Sequence, residues 1–138
     1  MSRIINSNTP VQQRVKILKL ISETVMILKE QPKLTRDSND LIAFVILSLT
    51  EIEKTLIQSI TPWEKRGYWV KADQFRKEWK WVSVVKNKLL QTLTVNGWQQ
   101  MPQEIEGLAE KLIPFEPLKR MKGIDFWKGA YSVLKNGK

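Results

Sequence analysis

The chain has 138 residues, of which 42% are hydrophobic, and a formal net charge of +9. This length is typical of one domain with a substantial core, so we expect a single domain over residues 1–138. The sequence lacks cysteine and histidine, which excludes disulfides, thiolate or imidazole zinc sites, thiol nucleophiles and histidine-dependent triads. We therefore expect no catalytic residue, no cofactor and no metal site.

The first helix has a clear start signal. Residues 1–8 are predicted to be a flexible tail, without the apolar run of a signal peptide. Thr9, Pro10 and Gln12 then combine a capping hydroxyl, a first-turn proline and an amide three residues on. Apolar residues follow at spacings of three and four, which predicts a helix over residues 10–31. Three further apolar residues, Ile17, Leu20 and Ile27, widen its apolar surface, which indicates contacts with two neighbours or with a second subunit.

The second helix is predicted to begin near Asp37–Asn39 and to continue to Ile60. Between Leu41 and Leu49 almost every residue is apolar, so this half should be the most buried element of the fold. We prefer a helix to a strand here because no glycine flanks the run and the helical pattern continues beyond it.

The segment at residues 61–81, TPWEKRGYWVKADQFRKEWKW, holds four of the six tryptophans. Thr61 and Glu64, with a proline between them, predict the start of a new helix. Gly67 should end this first turn, because glycine is unfavourable inside a helix. A longer third helix is then predicted from Tyr68 to Thr94.

The third helix has distinct faces. Its predicted core stripe comprises Tyr68, Ala72, Phe75, Trp79, Val82, Leu89 and Leu93. Trp69, Arg76 and Lys80 form one flank, and Lys77, Trp81, Val84 and Lys88 are predicted to lie on the side away from Trp79. Basic and aromatic side chains therefore alternate outside the predicted core.

The rest of the chain predicts two short helices. The third helix should stop at Asn96 and Gly97, and a short acidic helix should follow Pro102. Residues 114–124 contain prolines, a glycine and basic residues, which predicts an irregular basic loop. Asp125 is a candidate cap for a last helix. Together these elements predict an all-α, single-domain bundle of four to five helices, three long and two short.

Charge is unevenly distributed along the chain. Residues 1–33, 61–90 and 119–138 have net charges of +4, +5 and +5, whereas residues 34–60 and 91–118 have −2 and −3. This balance favours an anionic partner such as nucleic acid, a membrane surface or an acidic protein. The alternative is that the charges serve only solubility and pairing between helices.

The third helix holds the candidate interaction surface. It comprises seven residues: Arg66, Trp69, Arg76, Lys77, Lys80, Trp81 and Lys88. The other tryptophans, Trp63, Trp79, Trp98 and Trp127, are assigned to the core or to helix contacts. We expect a non-catalytic interaction module whose surface contacts a protein partner or a second copy in a homodimer.

Nucleic acid binding is the alternative for the same surface. Phosphates attract cations, and bases of any sequence stack on aromatic rings. However, the sequence has no helix-turn-helix, basic zipper or RNA-recognition signature. Salt dependence separates the two hypotheses, because phosphate contacts weaken steeply with salt whereas an apolar interface does not.

Catalysis and membrane attachment are weaker alternatives. The chain has no Walker loop and no Gly-x-Gly-x-x-Gly motif, and without histidine it cannot complete a di-iron Glu-x-x-His pattern. Arg14, Lys16 and Lys19 could face an anionic membrane, but a bundle core explains the apolar residues of that helix better. The longest apolar run is far shorter than the roughly 20 residues of a bilayer span, so we expect a cytoplasmic protein.

The segment PWEKRGYWVKADQFRKEW, residues 62–79, resembles a block shared by small bacterial proteins of uncharacterised function. The resemblance covers this short part of the chain only. It implies a helical domain, and it brings no activity, ligand or site residue with it.

Overall fold

The computed structural model describes residues 9–31, 36–94, 103–115 and 126–136, and every regular element in these ranges is helical. The helices are α1 (Pro10–Lys29), α2 (Arg36–Lys65), α3 (Trp69–Glu78), α4 (Trp81–Thr94), α5 (Gln103–Lys111) and α6 (Ala130–Asn136). α3 and α4 take the place of the predicted third helix, and α5 and α6 are the two short helices. The predicted all-α bundle is confirmed.

α1 begins as the sequence predicts. The Thr9 hydroxyl accepts a hydrogen bond from the Gln12 N–H at 3.1 Å, and the Gln12 side chain accepts one from the Thr9 N–H at 3.0 Å. This reciprocal capping box satisfies two N–H groups that have no partner inside the helix. It fixes where α1 starts.

α2 is the central helix and packs against α1, α3, α4 and α6. Seven of the nine residues from Leu41 to Leu49 are buried, and Phe44 and Leu47 are half-buried, as the continuous apolar run predicts. The core is completed by apolar residues from the surrounding helices, among them Leu18, Ile21, Val82, Leu89, Ile105 and Leu108. Burial of each such side chain contributes about 1.5–3 kcal/mol of hydrophobic free energy.

The C-terminal helix is attached to α2 through Asp40. The two carboxylate oxygens of Asp40 accept hydrogen bonds from the Gly129 N–H at 3.1 Å and the Tyr131 N–H at 3.0 Å. These N–H groups belong to the start of α6, where the backbone has unpaired donors and favours a negative charge. Trp127 is buried in the core beside this contact. α6 is thus docked by the Asp40 carboxylate and by apolar packing of Trp127, Ala130 and Leu134 against the core.

The predicted helix start at Thr61 is wrong. α2 continues through Thr61 and Pro62 to Lys65, and the Thr61 hydroxyl donates to the carbonyl of Ile57 within the helix. Gly67, two residues after the end of α2, has a φ of 80°. The Gly67 N–H bonds to the carbonyl of Glu64, and the Tyr68 N–H bonds to the carbonyl of Trp63, which is the Schellman pattern of a helix end. The signal Thr-Pro-x-Glu therefore lies in the last turns of a helix.

The predicted continuous helix from Tyr68 to Thr94 is also wrong at one point. α3 ends at Glu78, and α4 begins at Trp81 after a two-residue turn. Trp79 leaves helical geometry with φ −107° and ψ 10°. This turn resets the helical phase, so side-chain directions expected from a single helix do not carry over from α3 to α4.

Several predictions concern residues outside the described ranges. They are the tail at 1–8, the helix end at Asn96 and Gly97, the core role of Trp98, nearly all of the loop at 114–124 and the Asp125 cap. These stay predictions.

Candidate interaction surface

Four aromatic side chains form a continuous row from the end of α2 to the start of α4. Trp63 and Phe75 meet edge to face at 5.1 Å between ring centroids, Phe75 and Trp79 are 6.2 Å apart, and Trp79 and Trp81 are 5.9 Å apart. We call these four residues the aromatic row. Each such contact contributes about 0.5–1.5 kcal/mol beyond simple burial. Since Ala72 is the only fully buried residue of α3, the row is the main attachment of this helix.

Arg14 of α1 lies beneath the aromatic row. Its guanidinium carbon is 5.1 Å from the Phe75 ring centroid and 5.4 Å from that of Trp79. Its Nε donates to the Thr55 hydroxyl at 3.1 Å, and Nη2 donates to the Thr55 carbonyl at 3.3 Å and to the Ser59 hydroxyl at 2.6 Å. These contacts connect α1, α2 and α3 through one side chain.

Burial of Arg14 has an electrostatic cost. Arg14 is 5% exposed, and desolvation lowers the pKa of its guanidinium. No carboxylate in the described part of the chain pairs with it. Neutral oxygens and the faces of two aromatic rings stabilise the cation instead. The idea that Arg14 faces a membrane is therefore wrong, because the residue is inside the bundle.

Trp81 does not lie on the side away from Trp79, contrary to the sequence prediction. The turn between α3 and α4 brings the two rings together, and Trp81 is half-buried against the core. The prediction failed because it assumed an unbroken helix. Trp81 belongs mainly to the aromatic row.

Arg76 is held by two carboxylates. One guanidinium nitrogen pairs with Glu64 at the end of α2, and the other pairs with Asp73 one turn earlier in α3 at 3.0 Å. The hydrogen bond that Arg76 donates to Glu64, with the charges of both carboxylates, raises the pKa of Arg76. Arg76 thus joins α3 to α2, and any phosphate would have to displace these partners.

Three consecutive apolar residues are exposed where α3 begins. Tyr68, Trp69 and Val70 are 50%, 59% and 71% exposed. We call these three residues, together with the exposed Arg66, the α3 tip. The helical spacing predicts Tyr68 in the core, and Val70 is not among the predicted surface residues. Gly67 was the available signal, because a glycine at a helix end changes the direction of the chain, and the helical phase is not continued beyond it.

Several lysines precede and follow the α3 tip in the sequence. Lys65, Lys77, Lys80 and Lys88 are exposed and take part in no ion pair among the described residues. Lys71 lies over the Trp63 ring, with its amine 4.5 Å from the ring centroid. The surface residues predicted from sequence therefore fall into two groups. Five are exposed and form no ion pair among the described residues: Arg66, Trp69, Lys77, Lys80 and Lys88. The other two make internal contacts, Arg76 with two carboxylates and Trp81 with Trp79.

The described ranges contain no cluster of three or more acidic residues that could hold a metal ion. Within the same ranges, no helix combines the length and apolar character that a membrane crossing needs. Comparison with protein-family models, curated proteins and solved structures finds no match to this chain. The resemblance of residues 62–79 to a block in small bacterial proteins therefore stays an expectation.

Proposed function

We propose that this protein is a non-catalytic helical module that binds an acidic segment of a partner protein through the α3 tip. The observation that carries this proposal is the exposure of Trp69 between exposed Tyr68 and Val70. Tryptophan, tyrosine and arginine dominate the binding energy of protein interfaces, and clustered exposed apolar residues mark interaction sites. We also propose a cytoplasmic location, which the cysteine-free sequence favours.

The α3 tip is supported from behind, which favours binding. The Schellman turn at Gly67, the Arg76–Glu64 ion pair and the contact between Trp63 and Phe75 all fix the backbone on which Trp69 sits. A surface that is already ordered loses less conformational entropy when a partner binds. A short partner segment can therefore be bound by a few side chains.

Charge determines the chemistry of the proposed partner. Arg66, Lys77 and Lys80 are exposed, while Glu64 and Asp73 are already paired with Arg76. Glu78 is the other acidic side chain of α3 and is exposed, so the side chains available for a partner are mainly, though not only, basic and aromatic. Carboxylates on the partner would speed the encounter and fix its orientation, and apolar residues beside them would cover Trp69.

The test is fluorescence anisotropy of a labelled amphipathic peptide built from glutamate, aspartate and leucine. Trp69→Ala should weaken binding at least tenfold, because removal of an interface tryptophan costs about 2 kcal/mol or more. Val133→Ala removes an exposed apolar residue of α6 and is the matched control. Equal binding by wild type and Trp69→Ala would contradict the proposal.

Single-stranded nucleic acid is a second candidate, favoured by the same exposed tryptophan and lysines. It ranks lower because Arg76 and Trp81, which were expected to contact phosphate and base, already make internal contacts. An oligonucleotide in the same anisotropy assay at two salt concentrations separates the candidates. Tight binding that weakens steeply with salt, with little affinity for the peptide, would favour nucleic acid.

A further inference from the structure

A second apolar surface lies between α1 and α2. Ile17 and Leu20 of α1 and Phe44 and Leu47 of α2 line a groove of about 260 Å³. All four side chains are half-buried. Ile17, Phe44 and Leu47 pack against the core on one side and line the groove on the other. No residue of the α3 tip lines this groove. It is therefore separate from the surface in the proposed function.

The groove accounts for the unusual width of the apolar surface of α1. Leu18, Ile21 and Val25 fill the core side of this helix, and they already supply the stripe that a bundle helix needs. Ile17 and Leu20 lie beside that stripe. Contact of these additional apolar residues with water is unfavourable, so covering them with a partner would favour binding.

Charge favours a second copy of this chain as that partner. A protein with a net charge of +9 repels its own copies over most of its surface. The segment at residues 34–60 is an exception, because it carries four acidic and two basic side chains. The groove lies against this acidic segment, and Glu51 lines it. Glu51 also pairs with Lys54 at 2.9 Å on the exposed side of α2, so a Lys16 side chain from a second copy would share this carboxylate with Lys54. The exposed Lys16 on α1 forms no ion pair among the described residues.

The register of the α1–α2 pair makes these charges self-complementary. The hydrogen bond between Arg14 and Thr55 and the shared lining of the groove by Ile17 and Glu51 place Lys16 level with Glu51. A two-fold axis that runs along the helices would set α1 of each copy against α2 of the other. Such an isologous contact forms every pair twice, so two ion pairs between Lys16 and Glu51 would flank the joined grooves.

We propose that two copies of this chain associate through the α1–α2 groove to form a two-fold symmetric dimer. α1 is about 30 Å long, and a face two helices wide covers roughly 600 Å². Stable complexes bury about 800 Å² per partner. The dimer is therefore a weak one, which forms at micromolar protein concentration.

Sedimentation of the wild-type protein over a range of micromolar concentrations tests the proposal. The mass should rise from 16.2 kDa towards twice that value as the concentration increases. Leu20→Glu, which places a charge in the groove, should remain monomeric over the same range. Val133→Glu is the matched control on α6, and it should dimerise like the wild type. A monomeric wild type, or a Leu20→Glu variant that dimerises normally, would overturn the proposal.

A charge exchange keeps the test valid if Leu20→Glu does not fold. Lys16→Glu and Glu51→Lys alter exposed side chains, so circular dichroism should show an intact fold for both. Each single change should weaken the dimer about tenfold, because it disrupts two symmetric ion pairs. The double variant should recover most of the loss. Failure of the double variant to recover would contradict the proposed register, and Trp69→Ala should dimerise normally because the α3 tip is a separate surface.

Discussion

The first half of α2 and the short helix α3 are attached to the protein in different ways. α2 is held by many apolar side chains that are buried against four other helices. α3 fully buries only Ala72 and depends on the aromatic row and on its ion pair with α2. A helix that is held by a few directional contacts along one side keeps its other side open. This difference allows one tryptophan-rich segment both to stabilise the fold and to expose the surface for which we propose a binding role.

The largest effect on stability is expected in the buried first half of α2. Leu49→Ala should lower the free energy of unfolding by about 2–5 kcal/mol, because it leaves a cavity that the packed helices cannot fill. Leu49 is fully buried, whereas Ile57 on the same helix is exposed. Ile57→Ala is therefore the control, with an expected change within about 0.5 kcal/mol. Equal losses in urea unfolding would show that the core is not where the structure places it.

Arg14 tests how strongly α3 depends on its few directional contacts. Arg14→Ala should cost about 2–3 kcal/mol, since it removes hydrogen bonds of a charged donor together with packing against two rings. Arg14→Lys should recover only part of this loss, because an ammonium cannot reproduce the planar fork of the guanidinium. Lys88→Ala, an exposed lysine of α4 outside the groove, is the control in the same urea titration. A loss at Arg14 no larger than at Lys88 would contradict its structural role.

These two regions also differ in how far sequence could predict them. The apolar run of α2 and the capping box at Thr9 are local patterns, and both appear as expected. The burial of Arg14 depends on contacts with residues more than 40 positions away, which no local pattern contains. A charged residue on an apolar face was therefore placed at the surface.

The end of α2 and the break before Trp81 were missed for a related reason. A threonine and proline followed by glutamate can begin a helix or lie in its last turns, and only the packing of Trp63 against Phe75 decides between them. The break at Trp79 interrupts a regular helical pattern without glycine or proline at that point. As a result, the aromatic row could not be assembled from helical spacing, and the exposed part of the surface was only partly identified.

Gly67 should have a moderate effect on the orientation of α3. Its φ of 80° is unfavourable for a residue with a side chain, although a Cβ at this position would meet nothing within 4 Å. Gly67→Ala should therefore lose about 1 kcal/mol through backbone strain alone. Gly107→Ala in α5 is the matched control, because it should instead stabilise the helix by up to about 1 kcal/mol. Thermal unfolding shows whether each variant is more or less stable than the wild type. A change in the same direction for both would contradict this assignment.

The smallest effect is expected at the ion pair between α3 and α2. Arg76 is exposed on the surface, and salt screens contacts of this kind. Arg76→Gln should reduce stability slightly at low salt and make no difference at high salt. Arg66→Gln is the control, because Arg66 forms no ion pair in the described part of the chain. A salt-independent effect at Arg76 would show that this residue acts through packing.

The most direct test of the account compares two tryptophans at the two ends of α3, the exposed Trp69 at its start and the half-buried Trp79 just after its end. Trp79→Ala should lower the free energy of unfolding by about 3 kcal/mol, since it breaks the aromatic row above Arg14. Trp69→Ala should change it by less than about 0.5 kcal/mol, since Trp69 is 59% exposed. Urea unfolding of both variants beside the wild type gives the two values. Similar large losses would place Trp69 in the structural core and contradict the separation of a supporting side from a binding side.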